Sequence, residues 1–204
     1  MSQAVHVGEH PAETHATSTG ISHNKLMMWA FLASDCMFFG SLIMTYMVYR
    51  GHATGGPTPQ SLWNIPYTSV SAAELLLSSL AIVLALTYLH RGNERAFRIW
   101  LLATAGLGLL FLGGQFYEFT TFYREGLTLH SSLFGSTFFV LTGFHGTHVG
   151  IGIIWLLTLW VMSKRGQIPP SRGEMPEIVA LYWHFVDIVW IIIFAVVYLI
   201  PYKP

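Results

Sequence analysis

The chain is poor in charge. Lys+Arg and Asp+Glu number 10 each, so 10% of the 204 residues are charged and the formal net charge is zero. A soluble domain usually carries about 25% charged residues, and a balanced count gives nucleic acid nothing to bind. Cysteine is nearly missing. Cys36 stands alone, which excludes an internal disulfide framework and a multi-cysteine metal site. Proline is expected only in the tail, the links and the chain end, leaving the apolar runs unbroken. No repeat relates the two halves, and a transporter of the inverted-repeat kind would show one together with broken helices. Residues 1–24 hold no apolar run, so they do not read as a secretory signal.

What the chain does have is hydrophobicity, 53% of all residues. It gathers into five segments, at about 26–49, 68–89, 99–122, 132–162 and 178–200. At about 1.5 Å per residue each can cross a hydrocarbon core of about 30 Å. The expected fold is all-α, an integral membrane bundle of five transmembrane helices over residues 25–204. Residues 1–24 form a polar, mobile tail. His6, His10, His15 and His23 within that tail are irregularly spaced and read better as solvated than as a metal site. Residues 50–67 are rich in glycine and proline, with Trp63 and Tyr67 as interfacial anchors, and read as a surface loop.

Five crossings put the termini on opposite sides. The tail and the links after the second and fourth segments hold Lys25, Arg91, Arg95, Arg98, Lys164, Arg165 and Arg172. The other side holds Arg50, Arg124 and Lys203. Basic residues favour the cytoplasmic side, so the N-terminus is expected in the cytoplasm and the C-terminus outside.

The stretch 134–152, FGSTFFVLTGFHGTHVGIG, is apolar enough for a bilayer yet carries two histidines. His145 and His148 are three apart and share a helix face, which Gly152 continues. Gly143, Gly146 and Gly150 make a second stripe on roughly the opposite side. Lipid rewards neither face, since glycines permit close backbone approach and imidazoles need partners. This stretch is therefore expected to be the packing centre. A similar stripe, Gly106, Gly113 and Gly114, predicts tight packing of the third segment.

Other polar groups are embedded too. Asp35 sits inside the first segment, where a carboxyl is costly unless partnered. It reads equally as a structural hydrogen bond and as a proton-handling or interface group. Glu74 is placed one or two turns inside the second segment and is given no role. Glu118 lies near the end of the third, beside Gln115, and reads as a polar anchor near the membrane interface. In LYWHFVDIVW, His184 and Asp187 share a face and are expected to satisfy each other or a neighbouring helix. Three histidines and a carboxylate could hold zinc or iron, and histidines on two helices a haem. An i, i+3 pair on one helix cannot supply both axial ligands of one haem. Interhelical hydrogen bonding accounts for these groups with fewer assumptions.

Together, FGSTFFVLTGFHGTHVGIG and YWHFVDIVWIIIFAVVYL closely resemble subunit III of the haem-copper terminal oxidases, the cytochrome c and quinol oxidase family. SDCMFFG and GQFYEF resemble further shared helices of that family, and the likeness covers nearly all of residues 26–200. The chain looks like the five-helix bacterial form, which lacks the first two of the mitochondrial seven. The resemblance implies an accessory chain of a proton-moving oxidase in the bacterial inner membrane, catalytically silent and without haem, copper or other metal of its own. Those cofactors would lie in subunits I and II, with direct packing on subunit I, further small subunits, and bound phospholipid. It also implies a part in proton uptake and in lipid and oxygen access. His145, His148, His184, Asp187 and Glu118 match family positions, and Asp35 falls where a buried glutamate is common. Met162 stands where the mitochondrial form offers lipid an arginine, leaving Lys164 and Arg165 as lipid-binding candidates. Related subunits of quinol oxidases and nitric oxide reductases share the pattern. From another class, a stand-alone transporter remains the alternative.

Overall fold

A computed structural model of the chain describes residues 20, 22–50, 65–130, 132–168 and 173–200. They form α1 (His23–Tyr49), α2 (Ile65–His90), α3 (Glu94–Arg124), α4 (Leu133–Lys164) and α5 (Glu174–Phe194). A π-wound turn, Ala195–Leu199, extends α5. All five are long and apolar enough to cross a membrane, and no strand occurs among the described residues. The tail histidines His6, His10 and His15, and Trp63, Arg172 and Lys203, lie outside the described residues.

The helices outrun their apolar stretches because polar caps start them early. Ser22, Asn93 and Ser132 accept hydrogen bonds from the backbone N–H groups of Lys25, Ala96 and Gly135, which satisfies donors otherwise orphaned at a helix start. Two prolines correct the expectation that spans hold none. Pro66 and Pro176 lie in the first turns of α2 and α5, where a missing N–H breaks no helical bond. Glu74 consequently lies nine residues after the first residue of α2.

α2 and α3 share the most extensive contact in the bundle. α4 packs against α1, α3 and α5, and α5 in turn reaches α1, α2 and α4. The packing centre is therefore shared by α4 and α5. Its physical core is Trp183. A Cβ built at Gly108 of α3 would lie 2.7 Å from the Trp183 ring, and one at Gly152 of α4 only 2.8 Å from it. Trp183 Nε1 donates to Ser78 Oγ of α2 at 2.9 Å. One indole thus joins four helices. The predicted glycine stripe on α3 is only partly used: Gly114 closes on Ser71 and Tyr67, whereas a Cβ at Gly106 or Gly113 would meet nothing within 4 Å.

The two ends of the bundle are tied separately. At one end Lys25 Nζ lies 2.5 Å from Glu177 Oε2, and His90 Nε2 lies 3.3 Å from Glu177 Oε1. Ser22 donates to Glu174 beside them. This gathers the start of α1, the end of α2 and the start of α5. At the other end the buried Arg50 donates to the Ile200 carbonyl, joining the ends of α1 and α5. The Lys25–Glu177 pair is a third exposed on both sides, so solvent screens it. Glu177→Gln is expected to cost no more than about 1 kcal/mol, and less in high salt. Thermal melts in detergent at two salt concentrations check this; a large loss independent of salt would contradict it.

Candidate functional site

The embedded polar residues do not form one site. They form three separate joins between helices. In the first, α4 turns both of its histidines towards α1. Phe39 lies edge-on to His145 at 6.4 Å and to His148 at 5.0 Å between ring centroids, so the shared face expected from their spacing is real. His148 Nδ1 is 2.7 Å from the Phe144 carbonyl oxygen, a contact that requires Nδ1 to carry the hydrogen. A neutral His148 therefore presents the bare lone pair of Nε2 to Asp35 Oδ2, 3.5 Å away. Neither group brings a proton unless the carboxyl or the imidazole is in its acid form. The pair is thus a place where one proton is shared or missing.

His145 is fully buried. Its ring stacks on Trp190 of α5, with centroids 4.9 Å apart and planes at 23°, and Phe111 of α3 closes from the edge at 5.9 Å. Neither ring nitrogen has a hydrogen-bond partner among the described residues, and the same holds for Trp190 Nε1 and both Asp187 oxygens. Buried groups of this kind are usually satisfied by water or by another chain.

The second join takes the latter of the two alternatives expected for His184, a neighbouring helix rather than Asp187. His184 Nδ1 is 2.6 Å from Ser79 Oγ of α2. Asp187 is buried nearby without a hydrogen bond of its own. The serines Ser78 and Ser79 interrupt the apolar run of α2 side by side, one serving Trp183 and the other His184. That pair of adjacent serines is the mark this join leaves in the sequence.

The third join is Glu118, which is only 9% exposed. Thr68 Oγ1 of α2 donates to Glu118 Oε1 at 2.6 Å, and the Tyr198 hydroxyl donates to Oε2 at 3.3 Å. One carboxylate thereby joins α2, α3 and the π-wound end of α5. Close by in sequence, Gln115 Nε2 donates 2.8 Å to the Thr142 carbonyl of α4, and a Cβ at Gly146 would lie 2.7 Å from Gln115 Oε1. Lys164 and Arg165 are exposed at the end of α4, with Lys164 Nζ 4.2 Å from the centre of the Trp160 ring. No three His, Cys, Asp or Glu side chains converge as a metal site among the described residues.

Five apolar helices, joined at their buried faces by carboxylates, imidazoles and hydroxyls, define a multi-pass membrane protein built as a packed bundle. A family profile described as Cytochrome c oxidase subunit III matches residues 2–202. "Cytochrome c oxidase subunit 3" of Bacillus sp. (strain PS3) is 35% identical over 190 residues, covering 93% of this chain and 92% of that protein. "Quinol oxidase subunit 3" of Bacillus subtilis (strain 168) is 36% identical over 199 residues, covering 98% and 97%. "Cytochrome bo(3) ubiquinol oxidase subunit 3" of Pseudomonas aeruginosa is 36% identical over 206 residues, covering 98% of each. The chain belongs to the cytochrome c oxidase subunit III family. It is subunit III of a haem-copper oxidase, a multi-pass protein of a bacterial inner membrane.

Proposed function

We propose that the chain is an accessory subunit without cofactors of its own, packed directly on oxidase subunit I within a complex that also holds subunit II. Haem and copper reside in those partners, where oxygen is reduced to water. The observation that carries this reading is how the embedded polar groups are used: Asp35 faces His148, Glu118 takes Thr68 and Tyr198, and His184 takes Ser79. Each joins one helix to another, which is structural work. Relatives at 35% and 36% identity carry cytochrome c oxidase and quinol oxidase names, which fits an electron donor chosen by other chains. The N-terminal side faces the cytoplasm, because the end that gathers Lys25, Arg91 and Arg98 is the more basic.

Phospholipid binds at that same end. An apolar groove of about 360 Å³ opens between α1, α4 and α5, lined among others by Met28, Trp155 and Met162. Lys164 and Arg165 stand two and three residues after Met162, in α4's last turn and its cap, so a chain in the groove brings its headgroup to two cations.

Purification of the native complex in a gentle detergent, read by absorbance and mass spectrometry, tests the assignment. Haem absorbance with a larger metal-binding partner is expected; a colourless chain purifying alone would overturn it. Within the complex, Asp35→Asn is expected to leave assembly intact, since an amide N–H can donate to His148 Nε2 as an acid would. It cannot pass a proton on, so sustained oxygen uptake or lipid retention should change. Oxygen-electrode traces and subunit stoichiometry check both halves, and loss of the subunit would make Asp35 purely structural.

A further inference from the structure

Glu74 is unlike the other embedded carboxylates. Asp35 faces His148, Glu118 accepts two hydrogen bonds, and Asp187 is buried within the bundle. Glu74 is half-buried, and among the described residues nothing donates a hydrogen bond to it or offers it an opposite charge. It lies nine residues after Ile65, about 14 Å along the helix, inside a span rather than at its mouth.

Around it α2 and α3 leave a groove of about 320 Å³, lined by Tyr67, Ser71, Glu74, Leu110, Gly113 and Gly114 among others. The floor is finished and the outer side is not. Gly114 is already closed upon by Ser71 Oγ and the Tyr67 hydroxyl, at 3.1 and 3.2 Å from where its Cβ would stand. Gly113 faces open space, and Leu110 is 61% exposed. A lipid tail filling this groove would leave the carboxyl with no donor. Carboxylates inside spans almost always face protein or water, and a glycine beside an open groove admits a close backbone.

We propose that this groove seats a transmembrane helix of another subunit of the same complex, one that presents a cationic or hydrogen-bond-donating side chain to Glu74. The oxidase reading supplies the assembly; the choice of face rests on Glu74 and the groove alone. Arginine or lysine suits the site best, because a carboxylate in a low dielectric is satisfied most fully by an opposite charge that also hydrogen-bonds.

The test uses the complex purified from native membranes. A benzoylphenylalanine photo-cross-linker replaces Leu110, and adducts are mapped by mass spectrometry. Glu74→Leu, Glu74→Gln and Gly113→Leu are assayed for the fraction of the chain retained with the haem-bearing subunits in mild detergent. The expected adduct is an apolar segment of another subunit carrying a donor. Glu74→Leu and Gly113→Leu are expected to reduce retention about three- to tenfold, and Glu74→Gln much less. Gly113→Leu blocks the open side without touching the contact of α2 with α3, so it serves even if Glu74→Leu fails to fold. Adducts only with lipid or with a second copy of the chain, in an intact haem-bearing complex, would overturn the groove assignment alone. So would unchanged or improved retention of Glu74→Leu, the sign expected of a carboxyl facing lipid. A wild-type chain with no haem-bearing partner would overturn both this and the oxidase reading.

Discussion

Gly152→Leu is expected to unseat Trp183 and cost about 3 kcal/mol or more, enough to release the subunit from its complex at modest temperature. Overpacking a well-filled interior usually costs about 1–3 kcal/mol, and this position has unusually little room to adjust. A Cβ at Gly152 would stand 2.8 Å from two Trp183 ring carbons and 3.3 Å from Tyr182. The indole cannot retreat, because its far edge is already where a Cβ of Gly108 would be. Sliding along its own plane would break the bond from Nε1 to Ser78 Oγ. The added side chain thus costs packing on three helices and a buried hydrogen bond on the fourth. One methyl should already be felt, so Gly152→Ala is expected to lower the melting midpoint. Gly143→Ala, on the same helix, meets nothing within 4 Å and should be neutral or slightly stabilising, as alanine favours a helix over glycine. Thermal release of the subunit from detergent-solubilised complex separates the two, and equal losses at both positions would refute the wedge.

The same contrast marks how far the sequence could be read. Five helices were legible because each apolar run is long enough to cross a bilayer, and that constraint is purely one-dimensional. Faces were legible as well: His145 and His148 do turn together towards Phe39. Partners were not. The stripe of Gly106, Gly113 and Gly114 suggested one tight contact, yet the closest approach on α3 belongs to Gly108, outside that stripe. A helical period tells which residues share a face but not which neighbour that face meets. For the same reason the HxxD spacing left open whether His184 meets Asp187 or a neighbouring helix, and it is Ser79 of α2 that lies against the imidazole. The family resemblance narrowed what the chain is, but it could not say which side chain closes on which.

Glu118 shows the effect of such an unread partner on stability. Glu118→Leu is expected to cost about 1–3 kcal/mol, because Thr68 and Tyr198 both lose the buried carboxylate to which they donate. The two contacts are unequal. Thr68 donates at 2.6 Å and Tyr198 at 3.3 Å, so most of the loss should come from Thr68. Glu118→Gln keeps a carbonyl acceptor for Thr68 and can donate its amide hydrogen to the Tyr198 oxygen. It should therefore lie within about 1 kcal/mol of the native chain. The sharper test is Glu118→Leu combined with Thr68→Val. When donor and acceptor are both replaced by apolar groups the penalty largely disappears, so the double variant should be more stable than Glu118→Leu alone. Non-additivity of that sign, read from melting midpoints of the four variants, would identify the cost as the lost hydrogen bond rather than lost packing. Strict additivity would mean that Glu118 acts through its volume, and the join between α2 and α3 would then rest on Gly114 and its neighbours alone.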